Sequence, residues 1–204
     1  MPATEASKQR IYEAAVRLFA DRGVTPVNVS ELALAAGVAR GTIYNNFGEP
    51  EALFSEIAGR LATEMHERVA RSFERVQDPA HRLANGLRFF ARRAHDEPHW
   101  GRFIVRFAFS NAALQGMWNG QPARDLKVGL ASGRYDFAPA QTPSVIAMIA
   151  GSGLSAMLLV LEGHKTWREA GSGAAAFVLR ALGVAAAEAR ALAQADLPPL
   201  PTLD

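Results

Sequence analysis

A twenty-residue stretch, NVSELALAAGVARGTIYNNF at residues 28 to 47, constrains the fold of this chain more than any other segment. Asn28 is a favourable N-cap, and Glu31 follows three residues later, where its carboxylate can reach back to complete a capping box. Gly37 stands where a helix ends in a left-handed turn, because glycine adopts positive φ without a steric cost. The stretch therefore predicts two short helices joined by a tight turn.

The second of these helices, at about residues 40 to 46, has an apolar edge formed by Ile43 and Phe47 and is otherwise polar. Arginine and asparagine pair with base edges in the major groove, Thr and Tyr hydroxyls bond phosphates, and glycine lets the backbone approach closely. We predict a helix-turn-helix that places this helix in the major groove of DNA; an ordinary helical hairpin with a polar surface is the alternative. The predicted DNA-contacting residues are Lys8, Asn28, Ser30, Arg40, Gly41, Thr42, Tyr44, Asn45 and Asn46.

The segment GVARGTIYNNF, residues 37 to 47, resembles the signature of the TetR/AcrR family of transcription regulators. In that family a Gly-Val turn leads into a Gly-Thr-aliphatic-Tyr recognition helix closed by Phe. The flanking AVRLFADRGV and EALF fit the same pattern, so the resemblance covers about residues 11 to 54. It implies a three-helix DNA-binding head, a helical body that binds a small effector, and a homodimer that reads a near-palindromic operator.

Three positions depart from the family pattern. Ala39 stands where a capping Ser is usual, Val27 where a phosphate-binding Thr is common, and Pro50 where a phosphate-binding Lys usually opens the next helix. The loss of up to two backbone anchors predicts weaker or differently balanced DNA affinity. It leaves the base-reading face of the second helix unchanged.

The charge balance gives the predicted head no strong basic field. Residues 1 to 50 contain five basic and five acidic side chains, and the whole chain has a net charge of +2. DNA affinity must therefore come from local geometry more than from bulk attraction. The chain has no cysteine, and its start, MPATEASKQR, lacks the apolar core of a signal peptide. Both features suit a cytoplasmic protein, and the absence of cysteine excludes disulfides and thiolate metal sites.

Helical periodicity and proline positions predict an all-α fold for the rest of the chain. We expect a helix-turn-helix head at residues 1–50, a helical effector-binding and dimerisation body at 51–195, and a proline-rich tail at 196–204. A long helix from Pro50 to about Val76 should connect head and body. Further helices are predicted from Pro79, from Pro98, at about 143–161 and 172–182, and near the C-terminus, with short helices and a loop between residues 110 and 141.

The segment from residue 143 to 161 carries no charge, and its length satisfies the rule for a membrane span. We disfavour that interpretation because glycines and serines dilute the segment and no aromatic or basic belt flanks it. Its row of small residues at i, i+4 spacing allows close helix approach, and the family resemblance implies that the last two long helices pair with a twin subunit. The predicted dimer-interface residues are Ala147, Gly151, Ser155, Leu158, Leu179 and Leu182.

Aromatic residues cluster in the middle of the body, where the family resemblance implies an effector pocket. A single aromatic at helical spacing is more often a core residue than a ligand contact. As a group, these side chains predict a small apolar or aromatic effector. The predicted ligand-binding residues are Phe90, Trp100, Phe103, Phe107, Met117 and Trp118.

No motif in the chain indicates catalysis. The five histidines are scattered, and Pro98 between His95 and His99 breaks the shared helical face that a metal pair needs. The chain has no glycine-rich phosphate loop and no G-x-S-x-G elbow. We therefore predict a regulator without catalytic residues, metal or cofactor, whose partners are operator DNA, a small effector and a second copy of itself. The alternative is a helical ligand-binding or interaction protein with weak or lost DNA binding.

Overall fold

The computed structural model describes residues 5–23, 28–47, 50–73 and 76–201, and these residues form helices and connecting loops without a strand. The predicted all-α fold is confirmed. The head contains α1 (Glu5–Arg22), α2 (Val29–Ala36) and α3 (Arg40–Phe47). The body contains α4 (Pro50–Ser72), α5 (Pro79–Asp96), α6 (Pro98–Phe107), α7 (Ala112–Asn119), α8 (Gln121–Ala131), α9 (Thr142–Leu161), α10 (Trp167–Ala181) and α11 (Ala186–Gln194), with a single 3-10 turn at Pro139–Gln141.

Most helix boundaries follow from local signals. Prolines begin α4, α5 and α6, and the Asp78 carboxylate caps α5 by accepting a hydrogen bond from the Ala80 N–H. The prediction for α10 was wrong by five residues. Thr166 caps this helix and accepts from the Glu169 N–H, while the Glu169 carboxylate accepts from the Thr166 N–H. The T-x-x-E pattern of this capping box is visible in the sequence and predicts the true start.

The long helix α4 ends at Ser72, four residues before the predicted end. Its first half belongs to the same apolar core as the head, through Leu53 and Ile57. Its second half carries Met65 and Val69 into the body. One continuous helix therefore contacts both the N-terminal head and the interior of the body.

The described residues form two large apolar cores and one small cluster of Ala91, Ala156 and Ala170. The first joins the head to α4, α6 and α7, and α1 packs mainly against α6. The second lies among α5, α8, α9, α10 and α11, where α5 packs closely on α10. The close approach has a direct cause: Gly171 on α10 lies over the Arg88 backbone, and a Cβ built at Gly171 would stand 3.1 Å from the Arg88 Cα.

The segment Pro139–Leu161, which includes α9, is by length and composition apolar enough to cross a membrane. A core helix of a water-soluble protein passes the same test. One side of α9 is buried against α5, α6 and α10, through residues such as Ile149, Leu154 and Met157. These contacts account for much of its apolar composition.

The C-terminal segment packs against the body. Leu197 and Leu200 are half-buried on the first core. The Pro201 carbonyl accepts a hydrogen bond of 2.8 Å from the Arg68 Nε on α4. Residues up to 201 are thus part of the folded body, whereas the sequence predicted only a tail.

Candidate DNA-binding, effector and dimer surfaces

The recognition helix α3 presents a polar face to solvent. Arg40, Gly41, Tyr44 and Asn45 are exposed, and the Tyr44 side chain keeps 48% of its surface accessible. Ile43 is buried and holds the helix on the head core. The face matches the spacing i, i+1, i+4, i+5, which places all four residues on one side of the helix.

Two other predicted DNA contacts on α3 are less accessible. Thr42 and Asn46 are half-buried, and the Asn46 Nδ2 donates to the Thr42 carbonyl at 2.5 Å. Lys8 is exposed near the start of α1. Its Nζ lies 3.9 Å from the Glu5 Oε2, in a loose surface ion pair. Ser30 is half-buried in the first turn of α2.

The turn before α3 forms as predicted, with one difference at its start. Asn28 caps α2 by accepting from the Ser30 N–H at 2.8 Å, and Gly37 closes the helix at φ 62°. Glu31 does not complete a capping box. Its carboxylate pairs with Arg22 at the end of α1, so it ties α1 to α2. Val27, one of the three departures from the family pattern, lies outside the described residues.

A cavity lies in the body between α4, α5, α7, α8 and α9. The cavity has a volume of about 40 Å³, above the ~10–15 Å³ that a single water molecule needs. Three of the six predicted ligand-binding residues, Phe90, Met117 and Trp118, line it. The rings of Phe90 and Trp118 contact each other with centroids 4.8 Å apart.

The other three predicted ligand-binding residues lie elsewhere, and the prediction is corrected for them. Phe103 and Phe107 pack with Phe19 of α1 and Phe54 of α4 in an aromatic cluster that joins head and body. Trp100 contacts Phe90, but it stacks under the Arg93 guanidinium instead of lining the cavity. Helical periodicity identified all of these as buried residues but could not tell core from cavity wall.

The cavity also contains polar residues that the sequence did not single out. Asp125 is 3% exposed, and its Oδ1 lies 2.5 Å from the Arg82 Nη2 and accepts from the Gln121 Nε2 at 3.0 Å. Burial raises the pKa of the Asp125 carboxyl, and the contacts with Arg82 and Gln121 oppose that rise without cancelling it. His66 on α4 also lines the cavity. These residues could not be found from spacing, because they come from three different helices.

An exposed, largely apolar face runs along α9 and α10. On α9, Ala147, Ser155 and Leu158 are exposed and Gly151 is half-buried. The neighbouring α10 adds Phe177, whose side chain is 72% exposed. A methyl group built at Gly151 would meet no atom within 4 Å, so this face is open to close approach.

Two of the predicted interface residues are corrected. Leu179 and Leu182 are 0% exposed and belong to the second core, where they contact the interior of their own protomer. They cannot offer surface to another subunit. The outward face of α10 is the one that carries Phe177.

The described residues contain no group of three or more His, Asp or Glu side chains placed to hold a metal ion. One group of buried polar side chains lies in the cavity around Asp125. Their arrangement suits hydrogen bonding to a small molecule.

Comparison with known proteins identifies both halves of the chain. Residues 11–57 match the family model of bacterial regulatory proteins of the tetR family. Residues 78–195 match the model of the tetracyclin repressor-like C-terminal domain, and this second match alone covers more than half of the chain.

Individual relatives agree with these matches. The transcriptional regulator AcrR of Shigella flexneri is 45% identical over 53 residues, which cover 26% of this chain and 25% of AcrR. The regulator Rv1255c of Mycobacterium tuberculosis is 33% identical over 95 residues, about half the length of each protein (47%). Among solved structures, RolR without ligand is 28% identical with a TM-score of 0.73, covering 95% of this chain and all of RolR. RolR in complex with resorcinol is 27% identical with a TM-score of 0.68, and the match covers 97% of each chain. The chain therefore belongs to the TetR family of bacterial regulatory proteins.

Proposed function

We propose that this protein is a dimeric, sequence-specific transcription regulator, most simply a repressor, that leaves its operator when a small effector enters the body cavity. The observation that carries the proposal is the path of α4. This helix packs into the head core through Leu53 and Ile57 and forms a wall of the cavity through Met65, His66 and Val69. A ligand that shifts the far half of α4 moves the near half as well, because a helix transmits displacement along its axis.

In this proposal the head, residues 1–50, contacts DNA through the exposed face of α3. Arg40, Tyr44 and Asn45 read base edges and phosphates in the major groove, with Gly41 allowing close approach. Further contacts to the DNA sugar-phosphate backbone lie at the edges of that surface, from Thr42, Asn46, Lys8, Asn28 and Ser30. The neutral charge balance of the head implies that specificity depends on this local geometry.

The body, residues 51–195, provides dimerisation and effector binding. The apolar face of α9 and α10 exposes the large side chains of Leu158 and Phe177, and a two-fold copy of the same face covers them. Two heads related by that axis read a near-palindrome with half-sites one DNA turn or more apart. Such a protein acts in the cytoplasm and performs no chemistry on its effector.

The effector class follows from the cavity. Its walls are mostly apolar, with Leu83, Leu87, Phe90, Met117 and Ile149 among them. RolR, which this chain resembles along nearly its whole length, has been solved with resorcinol, a small aromatic ring. Both observations support a small apolar or aromatic effector.

Selection of the purified protein on a random duplex DNA library, at near-physiological salt, tests the proposal. We expect enrichment of one inverted repeat, and we expect a Tyr44→Ala, Asn45→Ala double variant that is still folded to lose that enrichment. Binding to the recovered operator should weaken as salt rises and still exceed binding to competitor DNA. A folded dimer that enriches nothing would support the alternative, a helical ligand-binding protein without useful DNA affinity.

A further inference from the structure

The polar groups of the body cavity are concentrated around one buried carboxylate. Asp125 on α8 contacts Arg82 on α5 and Gln121 one turn earlier on its own helix, and both contacts reach its Oδ1. An ionised carboxylate accepts about four hydrogen bonds in all. Asp125 therefore keeps acceptor capacity for a donor group that enters the cavity.

Two N–H donors on the cavity walls lack an acceptor. The Arg82 Nε and the Trp118 Nε1 are buried, and neither has a hydrogen-bond partner among the described residues. Buried polar groups in folded proteins nearly always have partners, so each of these is an exception that calls for an explanation. Both N–H groups have almost no accessible surface, so an oxygen atom of a bound molecule reaches either one only if the side chain turns toward it.

The charges in the cavity favour a neutral guest. Arg82 and Asp125 already form an ion pair at 2.5 Å, so the polar end has no net charge to attract an ionic ligand. A charged guest would lose its hydration without gaining an unpaired counter-ion. A hydroxyl group suits this site because it can donate to Asp125 and at the same time accept from the Arg82 Nε.

The remaining walls favour a flat ring. The Phe90 and Trp118 rings are inclined by 31° to each other. Gly86 adds no side chain beside them. Methionines Met65 and Met117 provide soft, adaptable contacts. The cavity is narrow, with a volume of about 40 Å³, so its size favours a single small ring over a larger guest.

We infer that the effector is a neutral aromatic compound with a single ring that carries at least one free hydroxyl group, recognised by Asp125 and Arg82. The Trp118 N–H is available to a second oxygen on the ring. This inference rests on the proposed function, in that it names the ligand class for the same cavity. It makes Asp125 the residue that favours binding of hydroxylated rings over rings of the same size that lack a hydrogen-bond donor.

Direct binding to the purified protein, measured by titration calorimetry without DNA, tests the inference. The probes are resorcinol, phenol, toluene and 1,3-dimethoxybenzene, which keeps both oxygens of resorcinol but cannot donate. We expect resorcinol to bind at least about tenfold more tightly than 1,3-dimethoxybenzene, the value of one hydrogen bond to a charged group. Asp125→Asn should reduce this preference, whereas Asp136→Asn, which removes an exposed carboxylate outside the cavity, should keep it.

A second variant tests the inference independently if Asp125→Asn does not fold. Trp118→Phe keeps a six-membered aromatic ring but removes the N–H together with the rest of the pyrrole ring. The loss of size affects both probes, so the loss of the N–H should show as a larger weakening of resorcinol than of toluene. Equal affinity for resorcinol and its dimethyl ether in the unaltered protein would overturn the inference, as would an unchanged preference in folded Asp125→Asn.

The two proposals can fail separately. Operator release by another class of compound, with none of the hydroxylated rings bound, would overturn the ligand class and leave the regulatory function standing. Binding of hydroxylated rings with the expected Asp125 dependence, but without release of a recovered operator, would support the ligand class and contradict the release step.

Discussion

Phe54 on α4 and Phe107 on α6 contact edge to face, with ring centroids 4.9 Å apart and planes inclined by 74°. Phe19 on α1 meets the same Phe54 ring at 5.1 Å, so one aromatic cluster holds together the head, the long helix and the body. Aromatic pairs in this geometry add to the free energy of area burial. The cluster is thus a packed junction between the head, the long helix and the body.

Removing the central ring of this cluster should destabilise the whole protein. Phe103 is fully buried and contacts the rings of Phe19, Phe54 and Phe107. We expect Phe103→Ala to lower the free energy of unfolding by about 3–5 kcal/mol, measured by denaturant titration. Phe109→Ala, at an exposed position, is the control and should cost less than about 0.5 kcal/mol. A loss below about 1 kcal/mol in Phe103→Ala would argue against a packed junction.

Truncation of the exposed recognition face should weaken operator binding without affecting folding. We expect Tyr44→Ala or Asn45→Ala to cost roughly 1–3 kcal/mol of specific binding in a gel-shift or anisotropy titration. Thermal unfolding should be nearly unchanged, because both side chains are exposed. Asn46→Ala should have a smaller effect on binding, since its amide already donates to the Thr42 carbonyl. Unchanged affinity in both of the first two variants would contradict the assignment of α3.

The exposed aromatic on α10 should decide the oligomeric state. We expect Phe177→Ser to raise the dimer dissociation constant by roughly a hundredfold or more, because each dimer loses two buried aromatic side chains. Analytical ultracentrifugation over a concentration series measures this shift. Phe109→Ser is the matched control, since Phe109 is 61% exposed and lies in the turn after α6, on neither α9 nor α10. Equal effects of the two substitutions would indicate general hydrophobic association instead of a specific face.

The N-cap of α5 should make stability depend on pH. Burial acts to raise the pKa of Asp78, but hydrogen bonds from Arg134, at 3.0 and 3.1 Å, and from the Ala80 N–H outweigh it and hold the pKa below its usual value. A carboxyl with a lowered pKa in the folded state stabilises the protein above its unfolded pKa of 3.8, and this stability is lost as pH falls through the folded value.

We therefore expect Asp78→Asn to lose about 1 kcal/mol of unfolding free energy at pH 7 and progressively less below pH 4, as measured by denaturant titration. Asparagine keeps the helix cap, so Asp78→Ala should cost about 1 kcal/mol more at every pH. A constant difference between the unaltered protein and Asp78→Asn from pH 7 to pH 3 would contradict a stabilising pair with Arg134.

The sequence determined the features whose causes are local. The two helices of the helix-turn-helix, the left-handed turn at Gly37 and the proline starts of α5 and α6 depend on residues within a few positions of each other, and all are confirmed. The missed start of α10 belongs to this group too, because the Thr166 and Glu169 capping box is a local signal. The polar face of α3 follows from helical period alone.

Only the tertiary structure decided which apolar residues line the cavity and which fill the protomer core. Periodicity marks Phe90 and Phe103 as equally apolar, yet one lines a cavity and the other fills a junction, because the helices packed against them differ. Leu179 was expected at a subunit interface and lies in the protomer core, since the rotation of α10 about its axis depends on its close packing against α5. Asp125 and Arg82 meet for the same reason. They lie 43 positions apart in the sequence, and only the packing of α8 on α5 brings their side chains into contact.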